Sequence, residues 1–131
     1  VTLQPYMIRS IMIVALGGAL GSAARYVASR LIQEHATTAF PVATCAVNVA
    51  GCLLIGLVCG LACKAEGMGE GLKLFLTVGF CGGFTTFSTF CNENMGLLRN
   101  GNSMVAALYI SLSLFLGLLA VQAGSAIAKS L

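Results

Sequence analysis

The stretch from Gly79 to Phe90 constrains the fold more than any other part of this chain. It lies in the middle of a long apolar run, yet it carries three glycines followed by closely spaced hydroxyl and phenyl side chains. Glycine lowers helix stability by about 1 kcal/mol relative to alanine, so we expect a helix to break here. Within a membrane, open backbone is tolerated only where protein, water or an ion satisfies its polar groups. The stretch therefore predicts a functional interruption.

The composition places this helix in a membrane. Of the 131 residues, 58% are hydrophobic and only 8% are charged, whereas soluble domains carry about 25% charged residues. A chain with so few charges cannot cover a water-facing surface. Because a spanning helix needs about 20 apolar residues, there is room for about four spans and for almost no extramembrane domain.

We therefore predict an all-α membrane protein with four transmembrane helices in a single domain over residues 1–131, its third helix broken at its centre. The predicted spans cover residues 8–32, 42–63, 72–98 and 103–128. Lysine and arginine are divided almost equally between the two sides, four against three, so the positive-inside rule gives only a weak preference. This balance predicts insertion in both directions and antiparallel pairing of two copies.

The sequence argues against catalysis. No Ser–His or Cys–His pair, no pair of carboxylates and no glycine-rich phosphate loop is predicted at membrane depth. The one histidine, His35, lies in a predicted loop, and the six cysteines are interpreted as small packing residues rather than metal ligands. We expect conduction or exchange of something small, and we expect no nucleic-acid partner.

The polar side chains predicted at membrane depth are mostly neutral donors, which favour an anion over a cation. Asn48 either bonds to a neighbouring helix or lines a polar path, and the two interpretations stay open. Glu93 is the one acid within an apolar run, which makes it a functional candidate. The neutral donors are Asn48, Thr85, Thr86, Ser88, Thr89, Tyr109 and Ser113.

Two further features fit an anion path. Phe87 and Phe90 share a helix face, and the edge of an aromatic ring is electropositive, although ordinary packing is the usual explanation of two phenylalanines in a membrane helix. Arg25 either reaches the membrane interface or attracts anions at a mouth of the path. Carbonyls freed near Gly82 and Thr85 are suited to a cation such as Na⁺ if two subunits meet there.

Three patterns in the chain resemble one known family. They are the Gly79 to Phe90 stretch, Gly17-Gly18-x-x-Gly21-x-x-x-Arg25-Tyr26, and Asn48-x-x-Gly51. Together they resemble the Fluc (CrcB-like) fluoride channels of bacteria over nearly the whole chain. The resemblance implies a multi-pass, antiparallel, dual-topology homodimer in the bacterial inner (plasma) membrane. Such a channel exports F⁻ passively and protects the cell from fluoride toxicity.

The resemblance also implies roles for individual residues. A structural Na⁺ at the dimer centre is expected on the backbone carbonyls of Gly82 and Thr85. Arg25 is expected at a vestibule, where it attracts anions. The implied fluoride pore comprises Asn48, Phe87, Phe90, Ser88, Thr89, Tyr109, Ser113 and Glu93.

Other transporters remain as alternatives. A small dual-topology multidrug/proton antiporter has a similar length and charge balance, but it is expected to carry an acid in its first span, where this chain has none. A fluoride–proton antiporter would use Glu93 as its proton carrier. A membrane scaffold without transport is a third alternative, which neutral donors at membrane depth make less attractive.

Overall fold

The computed structural model describes residues 5–64 and 68–131, and these residues are helical apart from short connections. The single-domain prediction also includes residues 1–4 and 65–67, which lie outside the described part of the chain. In chain order the elements are α1 (Pro5–Gln33), α2 (Val42–Lys64), α3 (Glu70–Leu74), a π-helix (Phe75–Cys81), α4 (Gly82–Phe84), α5 (Phe87–Arg99) and α6 (Ser103–Ser130).

Four helical runs are long and apolar enough to cross a membrane. Three of them are α1, α2 and α6, and the fourth is the composite run Glu70–Arg99, which joins α3, the π-helix, α4 and α5. The composite run has the lowest mean hydropathy of the four, 1.4, because hydroxyl, amide and carboxyl side chains interrupt it. The prediction of an all-α protein with four membrane-spanning helices and a bent third one is confirmed.

The third span departs from helical geometry later in the chain than its glycines suggested, at two extended residues that we call the opening. Gly79 lies in the π-helix and Gly82 begins α4, so neither leaves the helix. The extended residues are Thr85, with φ −86° and ψ 161°, and Thr86, with φ −151° and ψ 119°. The expectation that glycine itself breaks the helix is therefore wrong.

The glycines instead bring the backbone of α1 against the backbone of the third span. A Cβ at Gly17 would lie 2.6 Å from a carbonyl oxygen of the π-helix, and one at Gly21 would collide with the carbonyl of Phe80. From the other side, a Cβ at Gly83 would lie 2.6 Å from the carbonyl oxygen of Gly18. Such close approach is the usual role of small residues between membrane helices.

The long helices α2 and α6 pack in the same way along most of their length. A Cβ at Gly56 would collide with the carbonyl of Val121, and one at Gly124 would lie 2.6 Å from the amide nitrogen of Leu57. A Cβ at Gly117 would touch Cys52 Sγ at 3.4 Å. All six cysteines are free thiols. Cys52 is a small packing residue on this contact, as predicted, whereas Cys59, Cys63 and Cys91 are exposed in the single chain.

We predict that Gly21→Ala destabilises the protein and that Gly18→Ala does not. The new methyl group at position 21 meets fixed backbone, and overpacking of this kind costs about 1–3 kcal/mol. At position 18 the nearest atom to a Cβ is 3.8 Å away, so the same substitution is accommodated. Thermal unfolding of the detergent-purified variants measures the difference. Equal unfolding temperatures for the two variants would contradict the backbone contact.

Candidate functional site

The opening in the third span is held by one side chain from α2. Asn48 Oδ1 accepts a hydrogen bond from the Thr86 N–H at 2.8 Å, and Asn48 Nδ2 donates to the Thr86 carbonyl at 3.1 Å. In a continuous helix the Thr86 N–H would bond to the carbonyl of Gly82. Asn48 therefore replaces that bond and leaves the Gly82 carbonyl without its helical donor.

The first turn of α5 is capped by its own hydroxyls. Thr86 Oγ1 accepts from the Thr89 N–H at 3.3 Å and lies 3.1 Å from Thr89 Oγ1. Thr85 Oγ1 donates to the Cys81 carbonyl at 2.9 Å. Thr85 and Thr86 thus stabilise the two helix ends on either side of the opening.

Beside the opening lies a cleft of about 410 Å³, which we call the break cleft. It brings together six of the predicted site residues: Asn48, Gly82, Thr85, Phe87, Phe90 and Ser113. The remaining lining residues are Gly51, Cys52, Ile55, Thr77, Cys81, Thr86 and Leu114. Because the amide of Asn48 has two N–H groups and one is taken by Thr86, the second remains available within this cleft. Both interpretations of Asn48 are therefore compatible with the geometry.

Four aromatic rings run from the break cleft into the protein, and we call them the aromatic row. The centroids of Phe87 and Phe90 are 6.0 Å apart, and those of Phe90 and Tyr109 are 4.9 Å apart with the rings at 67°. The row ends at Phe40, whose centroid lies 5.3 Å from that of Tyr109 at 66°. Phe87 is 77% exposed, whereas Tyr109 is fully buried.

Glu93 lies beside the aromatic row with both carboxylate oxygens bonded. Tyr109 Oη donates to Glu93 Oε1 at 2.8 Å, and Thr44 Oγ1 donates to Glu93 Oε2 at 3.0 Å. Thr44 is buried and Glu93 is half-buried. Both hydroxyl groups of this three-residue group are therefore directed to the carboxyl group of Glu93.

Glu93 also lines a second cleft, of about 370 Å³, which we call the Glu93 cleft. Phe40 is part of its wall, together with the connection between α1 and α2 and the end of α5. Phe90 lines the break cleft, Phe40 lines the Glu93 cleft, and Tyr109 contacts both rings. The aromatic row therefore joins the two clefts.

Three predicted site residues lie elsewhere. Arg25 Nε donates to the Gly83 carbonyl at 3.1 Å, so the half-buried arginine braces the opening from α1. Thr89 is used in capping α5, and Ser88 is exposed. None of the three lines either cleft, and their roles in a vestibule or pore stay predictions.

Sequence reasoning missed Phe40 and Thr44. Phe40 precedes Pro41 at the start of α2, where it looks like an ordinary residue of a helix start, and Thr44 is one of several hydroxyl residues near a helix end. No local pattern marks either residue, because their partners Tyr109 and Glu93 come from distant parts of the chain. The one available signal was Glu93, because a carboxylate at membrane depth requires hydrogen-bond donors from other helices.

The oxygen atoms near the opening are better ligands for a hard cation than for a soft one. Among residues 5–64 and 68–131 there is no cluster of three His, Cys, Asp or Glu side chains. The Gly82 carbonyl has lost its helical donor to Asn48, and Thr85 is the extended residue between α4 and Thr86, the N-cap of α5. Backbone carbonyls of this kind are ligands for alkali cations, so these residues fit Na⁺ if oxygens from a second chain complete the shell.

The fold and the site define a small four-span membrane protein whose third span opens beside a track of aromatic rings and neutral donors. The chain belongs to the CrcB family, since a family model described as "CrcB-like protein, Camphor Resistance (CrcB)" matches residues 12–125. The family resemblance inferred from the three sequence patterns is therefore confirmed.

Relatives of this chain carry a specific name. A protein of Flavobacterium psychrophilum named fluoride-specific ion channel FluC is 50% identical over 123 residues, covering 94% of this chain and 99% of the relative. A protein of the same name from Chlorobaculum tepidum is 42% identical, covering 94% of this chain and 97% of the relative. Another, from Bacteroides fragilis, is 43% identical over 88% of this chain and 93% of its own length.

We predict that Asn48→Leu destabilises the opening. The substitution leaves the Thr86 N–H and carbonyl without partners, and each unsatisfied buried group costs about 1–3 kcal/mol. Hydrogen exchange of peptides that contain residues 85–90 measures the effect, and we expect faster exchange. The matched control is Asn92→Leu, since Asn92 is exposed on α5. Unchanged exchange in Asn48→Leu would show that the opening does not depend on this side chain.

Proposed function

We propose that this chain forms a fluoride-specific ion channel that exports F⁻ passively and protects the cell from fluoride. The observation that carries the proposal is the break cleft, where the Asn48 amide and the rings of Phe87 and Phe90 line one space with Ser113, whose hydroxyl is directed to Cys45 Sγ in a weak bond of 3.8 Å. No acidic side chain is among the residues that line this cleft. The names of the relatives described above support fluoride as the ion.

The chemistry of the cleft suits an anion. A halide accepts hydrogen bonds from N–H and O–H donors, and it is attracted to the electropositive edges of aromatic rings. No carboxylate, which would favour a cation, is among the side chains that line the cleft. Since the apolar walls lower the local dielectric, each of these favourable interactions is stronger than it would be in water.

A passive channel is sufficient for the task. HF crosses a membrane unaided and dissociates inside the cell, so F⁻ becomes trapped. A membrane potential that is negative inside favours outward movement of the anion by about 2.3 kcal/mol per 100 mV. Export therefore needs neither ATP nor a coupled ion, and the proposed site is the bacterial inner membrane.

An antiparallel homodimer is part of the proposal. Phe87 is 77% exposed in the single chain, and the break cleft is open to its surroundings. A second copy packed against this face would close the cleft and cover the ring. The near-equal distribution of positive residues on the two sides supports opposite insertion of the two copies.

A Na⁺ ion between the two copies completes the proposal. The carbonyls of Gly82 and Thr85 would hold it, with the same residues of the second copy supplying further oxygens. When bound, the ion supplies a fixed positive charge in a region of low dielectric, which offsets part of the cost of bringing F⁻ there. Arg25 keeps the neighbouring Gly83 carbonyl bonded, so it limits the carbonyls that remain open.

Efflux from proteoliposomes loaded with potassium fluoride tests the function. We expect rapid fluoride release, followed with a fluoride electrode, only after valinomycin provides a path for compensating K⁺, because a uniporter stalls when charge accumulates. Chloride-loaded liposomes are the selectivity control, and we expect no comparable release from them. Equal fluoride release without valinomycin would indicate proton exchange. Movement of quaternary cations without fluoride would indicate a multidrug antiporter.

The aromatic edges can be tested separately. We expect Phe87→Ile and Phe90→Ile each to lower fluoride flux, because an alkyl surface replaces an electropositive edge. If the edge interaction has the strength of an aromatic pair, about 0.5–1.5 kcal/mol, the expected decrease is roughly twofold to tenfold. Phe115→Ile is the control, since Phe115 is exposed on α6 and lines neither cleft. Wild-type flux in both test variants, with unchanged elution on size exclusion, would refute the role of the edges.

A further inference from the structure

We infer that Phe40 lines the ion path at its second mouth and that the edge of its ring supports conduction there. This inference rests on the proposed fluoride channel and extends the path beyond Phe87 and Phe90. It starts from the continuity of the aromatic row, which passes from Phe90 through Tyr109 to Phe40 with centroid separations of 4.9 and 5.3 Å. Phe40 is the member of this row that lines the Glu93 cleft.

The hydroxyl groups near this mouth already donate hydrogen bonds within the protein. Tyr109 and Thr44 each have one hydroxyl hydrogen, and both hydrogens are directed to Glu93. While those bonds last, neither hydroxyl donates to a passing anion. Thr38 Oγ1 is likewise directed to the Phe40 carbonyl, at 3.4 Å. Besides the amides of Gln33 and Asn100 on the exposed wall, Phe40 is the aromatic residue that lines this cleft, and the edge of its ring is electropositive.

Glu93 gives an electropositive surface a role in this cleft. Its carboxylate faces the same cleft, and a negative charge repels an anion that passes beside it. Two hydrogen bonds reduce this repulsion without removing the charge. An aromatic ring edge in the same cleft would supply a compensating attraction for the anion.

The backbone holds Phe40 in place. Its carbonyl accepts from the Val42 N–H at 2.8 Å as well as from Thr38 Oγ1, and Pro41 follows directly. Proline fixes its own φ and restricts the residue before it. The ring is therefore presented from a constrained turn immediately before α2, and its near-perpendicular contact with Tyr109 sets its orientation.

Replacement of Phe40 by pentafluorophenylalanine tests the inference, because the ring keeps its approximate shape while its edge becomes electronegative. Efflux of fluoride from proteoliposomes is compared with that of the wild type, whose own conduction tests the proposed function. We expect flux to fall by roughly threefold to tenfold, with an unfolding temperature that matches the wild type. The same replacement at Phe115, exposed on α6, is expected to leave flux unchanged.

A second variant separates ring chemistry from folding. Phe40→Leu removes the edge without reversing its charge, so we expect flux between those of the wild type and the fluorinated protein. Wild-type flux in the fluorinated variant would overturn the inference while leaving the proposed channel intact. A decrease that merely accompanies an equal loss of thermal stability would also overturn it, since it would show that Phe40 acts only by packing against Tyr109.

Discussion

The paired hydrogen bonds between Asn48 and Thr86 are the interaction on which the rest of the site depends. A membrane helix cannot release its backbone unless another group satisfies it, and the amide of Asn48 satisfies both the N–H and the carbonyl of one residue. This allows two extended residues at the centre of the third span. It also turns the first residues of α5 into a new helix start, which places Phe87 and Phe90 beside Asn48 in the break cleft.

The global architecture was predictable from the sequence because it depends on local composition. Long apolar runs with almost no charge require spanning helices, and the four predicted spans were therefore found. The existence of an opening was also predictable, since a cluster of glycine and hydroxyl residues disfavours a continuous helix, although the glycines themselves are helical. The position of the opening was not predictable, because a glycine in a membrane helix either breaks the helix or allows a second helix to approach closely. Only the contact of Gly21 and Gly83 with a second backbone decides between these roles.

The candidate site was predictable only as a set of residue types. Asn48 and Glu93 stood out because a strongly polar side chain at membrane depth requires partners. Which partners they have depends on helix packing, so the bonds of Glu93 to Tyr109 and Thr44 had no counterpart in the sequence pattern. Phe40 escaped notice for the same reason, since a phenylalanine before a helix has no distinguishing feature until its ring is found against Tyr109.

The glycine contact between α1 and the third span has a consequence for how the protein moves. Glycine has no side-chain rotamers to lose, so the joint at Gly17, Gly21 and Gly83 forms without side-chain conformational entropy cost. It also contains no rotamers at those positions that can change during a fluctuation. Where two backbones are in direct contact, displacement of one helix displaces the other, because no flexible side chain lies between them to absorb the movement. We therefore expect α1, the π-helix and α4 to move together as one rigid body. Within the third span, α5 is then the part that can change its orientation.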